Sequence, residues 1–220
     1  MTDKLKKVLS LGFKAAFIII CTTGVVMNFL YLKQNLMMTL SYYTIQSNLA
    51  CLFLIIYLLI VELLGKKMTD KMIRLKAGFT VMIFLTFLVY HFLLRPFMVN
   101  FETEYEVFQF SDILVHYVSP LMMLFDYIVF TDHQKLKKSD PFLWILIPLI
   151  YWIYTMLYKA FGGIFILGDS VSSYPYFFLD FDTYGFFGVI LWVIGIMILY
   201  IGLGYGLFGV DHIIVKRNQN

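Results

Sequence analysis

Two short stretches of this 220-residue chain hold residue types that can do acyl-transfer chemistry. SYYTIQSN (41–48) carries Thr44, Ser47 and Asn48, and DILVHYVSP (112–120) carries Asp112 and His116. At i, i+3 and i+4 spacing, the members of each set share one helix face. A threonine hydroxyl is too weak an acid to attack an ester unaided, so it needs a neighbouring imidazole to take its proton as the new bond forms. Thr44 is therefore the candidate nucleophile and His116 the candidate general base, with Asp112 one turn earlier to orient the ring. Asn48, one turn below Thr44, could offer an amide N–H to a developing oxyanion. Ser47 is the alternate nucleophile, and His91 in LVYHFLLRP (88–96) is a further polar group of undefined role. The same residue types also have a structural reading. Ser and Thr bond back to the preceding turn, Asn and His bridge helices, and an Asp near a helix start caps it.

The elements that must position these residues follow from composition. The chain is 61% hydrophobic and 14% charged, with its apolar residues in long blocks, the profile of a polytopic membrane protein. Six blocks, at roughly 8–32, 41–64, 71–94, 109–131, 141–160 and 183–209, approach the ~20 residues a spanning helix needs. The first is too long for a signal-peptide core and lacks a small-x-small cleavage site, so it reads as a retained span. The expected fold is an all-α integral membrane protein, a six-transmembrane-helix bundle forming one domain over residues 1–220. Alternating spans bring the start of span two (Thr44, Asn48), the end of span three (His91) and the start of span four (Asp112, His116) to one depth. Glu62 and Asp126 fall nearer the opposite surface. Ionisable groups at membrane depth are costly, so each should face the bundle interior.

Orientation follows from the basic residues. The N-terminal segment (Lys4, Lys6, Lys7), the 65–76 loop (Lys66, Lys67, Lys71, Arg74, Lys76), the 132–140 loop (Lys135, Lys137, Lys138) and the C-terminal tail (Lys216, Arg217) share one side. The other side has Lys33, Arg95 and Lys159. That asymmetry predicts both termini cytoplasmic, and the scatter of positive charge over four segments argues against nucleic-acid binding. The opposite face carries Glu102, Glu104, Glu106, Asp169, Asp180 and Asp182, read as a solvated acidic surface. Cys21 and Cys51 lie within spans as packing residues. His91, His116, His133 and His212 show no metal-ligand spacing, and no metal or nucleotide cofactor is implied.

The long connection from about 161 to 182, with GGIFILGDSVSSYPYFFLDFD, reads equally as a segment that re-enters the bilayer edge or lies across the outer mouth of the bundle, or as an aromatic interface belt of Tyr174, Tyr176, Phe177 and Phe178. Gly195, Gly202, Gly204, Gly206 and Gly209 in span six suggest a packing face. GLGYG within that span is out of place for an ion filter, which belongs in a re-entrant loop.

SYYTIQSNL, LVYHFLLRP, DILVHYVSPLMMLFDYIVF and SYPYFFLDFDTYG, in that order and spacing, resemble the bacterial six-helix proteins labelled Pr-six-Pr. These are similar to the eukaryotic androgen-induced membrane threonine hydrolases, the ADTRP-like or FAR-type family. The resemblance runs from span one to span six. It implies a multi-pass protein of the bacterial plasma membrane that cleaves lipid esters, such as fatty acid esters of hydroxy fatty acids, with one Thr and one His. These map onto Thr44 and His116, the pair that depth had already joined. Asp112, Asn48, Ser47 and His91 are assigned from spacing alone.

The expected function is thus an intramembrane threonine-dependent hydrolase of a lipid or other hydrophobic ester, in contact with membrane lipids. The alternative is a non-enzymatic transporter or lipid-binding receptor using the same polar pocket. A transporter predicts an inverted repeat or broken helices, and the two halves show no persuasive symmetry. A regulatory subunit is a third option, and the sequence leaves oligomeric state open.

Overall fold

The computed structural model describes residues 2–32, 35–100, 109–167 and 170–219. It is 82% helical with almost no sheet, and six of its helices are long and apolar enough to cross a membrane. In chain order the elements are α1 (Asp3–Leu32), the short α2 (Leu36–Leu40), α3 (Tyr43–Leu63) and α4 (Asp70–Val89). A π-helical turn (Tyr90–Leu94) then leads into α5 (Arg95–Asn100). After residues outside the described set come α6 (Phe110–Ile113), a second π-helical turn (Leu114–Val118) and α7 (Ser119–Phe130). The chain continues through α8 (Asp140–Trp144), α9 (Leu146–Ala160), strands β1 (Phe165–Leu167) and β2 (Ser170–Ser172), and α10 (Phe181–Gln219). All six anticipated spans are present. The last runs beyond its expected end and bends at Gly185, whose φ of +64° is open to glycine.

Sequence-local causes set the helix starts. Asn35 accepts the Met37 N–H at 3.0 Å to open α2, and Thr69 accepts the Met72 N–H at 3.3 Å to open α4. The chain breaks between α2 and α3, where the Ser41 hydroxyl donates to the Met37 carbonyl (2.7 Å) and the Gln46 amide reaches back to the Leu40 carbonyl (3.1 Å). Two of the polar residues in SYYTIQSN therefore serve this break.

Both π-turns have the same origin. Pro96 and Pro120 have no N–H and crowd the carbonyl one turn earlier, that of Phe92 or His116, so the helix cannot hold its i→i−4 ladder there. It widens by one residue instead. The Arg95 N–H bonds to the Tyr90 carbonyl and the Ser119 N–H to the Leu114 carbonyl, five residues back in each case. Each turn contains one of the two membrane histidines.

The helices pack round two polar levels. At one end of the bundle lie Thr44 (α3), His91 and His116 (the π-turns) and Asp112 (α6). At the other, Lys14 of α1 pairs with Glu62 of α3 at 3.0 Å and with Asp126 of α7 at 3.5 Å, and Lys76 of α4 forms a close ion pair with Asp126. Lys76 is fully buried, which corrects its expected place in an exposed loop. Lys14, apolar in context, had drawn no reading. Its ammonium is held because two carboxylates converge on it.

The glycine face expected on α10 is realised at one position only. A Cβ on Gly204 would meet Pro141 at 2.9 Å, whereas Gly195, Gly202, Gly206 and Gly209 face open space. Near the active level, Gly24 matters more. A Cβ there would approach the Leu114 Cβ to 2.8 Å, so its bare backbone lets α1 lie directly on the second π-turn.

Candidate active site

Thr44 is the second residue of α3, which starts at Tyr43. Its Oγ1 lies 3.2 Å from the Nε2 of His116. The other ring nitrogen, Nδ1, is 3.1 Å from the Asp112 backbone carbonyl. A carbonyl can only accept, so Nδ1 carries the proton and the neutral ring turns its Nε2 lone pair to the threonine O–H. The Asp112 carboxylate stands 3.7 Å from Nδ1. It flanks the ring while the backbone of the same residue orients it.

The imidazole is clamped on its face by Tyr90, whose ring stacks on it at 3.7 Å with an 11° tilt. His116 belongs to the π-turn at Leu114–Val118, and Tyr90 meets it from the end of α4, its own N–H still bonded to the Thr86 carbonyl. His91 points elsewhere, its Nδ1 3.1 Å from the Tyr117 hydroxyl and its ring stacked on Phe87. It supports the neighbouring wall and does not touch Thr44.

Asn48 and Ser47 are brought to the same level with different partners. The Asn48 amide donates to the Thr44 carbonyl (2.8 Å) and the Val115 carbonyl (3.0 Å). With its N–H groups used in tying α3 to the second π-turn, it is a brace and a poor oxyanion donor, against expectation. The Ser47 hydroxyl reaches the Thr44 carbonyl (3.0 Å) and the Thr86 hydroxyl of α4 (2.9 Å). Of the two hydroxyls considered as nucleophile, Thr44 is the one that meets an imidazole.

One participant had gone unread as chemistry. The 161–180 connection folds as a small β1–β2 hairpin in antiparallel register (Ile166 opposite Val171), followed by a 3-10 turn at Phe177–Leu179. It lies over the start of α3, which favours the mouth-covering reading. Tyr42 rests edge-on against Phe165, and the Tyr176 hydroxyl accepts the Tyr43 N–H at 3.1 Å and lines the same cleft as Thr44. Burial pushes the Tyr176 phenol above its ordinary range. It stays protonated and keeps an O–H to donate. Of the acidic residues expected on this side, Glu102, Glu104, Glu106 and Asp169 lie outside the described residues, while Asp180 caps the start of α10 by accepting the Asp182 N–H (2.8 Å) and the Thr183 N–H (3.1 Å).

Thr44 opens onto an apolar cleft lined by Leu85, Thr86 and Val89 of α4, Pro148, Tyr151 and Trp152 of α9, Val193, Ile196 and Met197 of α10, and Tyr176 and Phe178 of the covering segment. The open volume is about 60 Å³, narrow and almost wholly apolar. α9 and α10 both wall the cleft, and the covering segment closes it beside Thr44. Among the described residues no group of His, Cys, Asp and Glu could hold a metal ion. Compared with family models, curated proteins and solved structures, the chain matches none, and the family resemblance stands on the motifs alone.

Proposed function

We propose that the protein is an intramembrane threonine-dependent hydrolase of lipid esters. The observation that carries this reading is the Thr44 hydroxyl 3.2 Å from the His116 imidazole at the head of an apolar cleft. Orientation from the basic residues puts both termini in the cytoplasm and the site in the outer half of a plasma membrane.

In the proposed reaction Thr44 Oγ1 attacks the ester carbonyl carbon as its proton passes to His116 Nε2. The tetrahedral oxyanion forms at the first turn of α3, where the helix dipole favours negative charge and the Tyr176 O–H can donate to it. Collapse breaks the ester C–O bond, and His116 returns the proton to the departing alkoxide. Water then attacks the acyl-threonine with His116 again as base, releasing the acid and restoring Thr44. The acyl chain occupies the cleft walled by α9 and α10, where apolar side chains replace its contacts with neighbouring lipid tails.

The test is labelling of purified protein by a fluorophosphonate, with turnover of a lipid-ester panel, beside Thr44→Ala and His116→Ala. Either substitution is expected to lower turnover by at least about 10³-fold. Wild-type protein that neither labels nor turns over any ester, or variants indistinguishable from it, would overturn the assignment.

A further inference from the structure

At the lysine-rich end, far from Thr44, a second cavity of about 460 Å³ opens between the first turns of α1 and the loop that follows α3. Its floor is the Lys14–Glu62 ion pair, joined by the Ser10 hydroxyl, which donates to Glu62 at 2.9 Å. With Lys76 and Asp126 behind them, the floor charges cancel. Above it stand Lys6 and Lys7 from one segment and Lys66 and Lys67 from another, against the single carboxylate of Asp132.

Those four lysines outnumber the one carboxylate on their rim and form no ion pair among the described residues. Among the described residues, ion pairs take up Lys14, Lys76, Lys135 and Lys159, and no carboxylate pairs with Lys6, Lys7, Lys66 or Lys67. Like charges held round one opening repel, and a multivalent anion between them reverses the sign of that energy. Ammonium groups on flexible stems suit phosphate as point charges. The remaining wall is apolar: Leu58, Val61, Met68 and Phe130. A purely aqueous anion has no use for it, whereas a glycerol backbone and the head of an acyl chain do.

We propose that this cavity binds a phosphate-bearing anion, with the headgroup of an anionic phospholipid as the form that matches both the lysine rim and the apolar wall. The site is independent of the hydrolase reading, since it lies at the opposite level of the bundle and shares no residue with Thr44 or His116.

The experiment is the thermal unfolding midpoint of detergent-solubilised protein, read by intrinsic fluorescence, after adding phosphatidylglycerol, phosphatidylcholine, glycerol 3-phosphate or inorganic phosphate. It is repeated in a Thr44→Ala background so that turnover of added lipid plays no part. Phosphatidylglycerol is expected to raise the midpoint by about 3 °C or more, and phosphatidylcholine to leave it unchanged. Lys66→Gln/Lys67→Gln should abolish the rise. Lys137→Gln/Lys138→Gln, which removes equal charge outside the cavity, should preserve it. Equal, Lys66- and Lys67-dependent protection by glycerol 3-phosphate or inorganic phosphate would support the phosphate site with a soluble ligand. No protection by any phosphate, equal protection by phosphatidylcholine, or protection that ignores Lys66 and Lys67 or falls equally with Lys137 and Lys138 would overturn it.

Discussion

At the scale of single residues, the proposed chemistry rests on who holds whom. His116 is oriented by a backbone carbonyl at 3.1 Å and only flanked by a carboxylate at 3.7 Å. Asp112→Asn, which keeps the backbone, should therefore cost no more than about tenfold in turnover, far less than loss of the base itself. Tyr176→Phe removes the phenol without changing the ring's packing, and should lower kcat by about 10²-fold while leaving KM nearly unchanged, as loss of an oxyanion donor does. The split between kcat and KM in steady-state kinetics checks this; a pure KM effect would recast Tyr176 as part of the substrate wall. Thr44 and His116 were legible because both are polar at a depth where polarity is costly. Tyr176 was not, since a tyrosine in an aromatic loop has an ordinary interfacial explanation. Asn48 was misjudged for a related reason, as spacing gives the face a side chain occupies but says nothing of competing carbonyls, and two of them claim it.

At the scale of elements, the six spans were readable from length and hydropathy, but the two π-turns were not read, although Pro96 and Pro120 mark them. A helical wheel assumes about 100° per residue. One inserted residue shifts everything beyond it, so residues after each turn leave the faces an unbroken helix would give them. Pro120→Ala restores an N–H for the His116 carbonyl and should draw Leu114–Val118 back into an α-helix. His116 would then turn from Thr44, with a loss of about 10²-fold in labelling rate and unchanged or slightly higher helicity by circular dichroism. Gly24→Val tests the same turn from its other side. Its side chain would press on Leu114, and labelling is expected to fall while Lys14, ten residues earlier on α1, keeps its ion pairs.

At the scale of the whole molecule, buried charge ties the helices together at the end opposite the active level. Lys76→Met leaves Asp126 with Lys14 alone, 3.5 Å away, and is expected to destabilise the fold by about 3 kcal/mol, and Lys76→Met/Asp126→Leu, which leaves Lys14 on Glu62, to recover most of that loss, measured by thermal or denaturant unfolding. None of this network could be read from Lys14 or Lys76 in isolation, because what makes a lysine tolerable inside a bundle is supplied by distant segments. A second tie responds to pH. His133 places Nδ1 2.8 Å from the Asp211 carboxylate and Nε2 3.0 Å from the Ile128 carbonyl, so both ring nitrogens face acceptors. The Asp211 hydrogen bond lifts its pKa above the ordinary 6.5. A raised histidine stabilises fully below its unfolded value and loses that contribution as pH climbs through the folded one. Unfolding midpoints should therefore fall as pH rises past neutrality, and His133→Gln should flatten that slope.

In the proposed reaction the covering hairpin and the cleft have separate parts. The acyl chain would lie in the cleft walled by α9 and α10, while water would reach the site past Tyr42, Phe165 and Tyr176, which cover the start of α3. The acyl-threonine would thus wait in a place where its next partner is chosen by which route is quicker. Small alcohols supplied from the aqueous phase should compete with water for it, and the ratio of alkyl ester to free acid among the products would serve as a gauge of how tightly that roof sits.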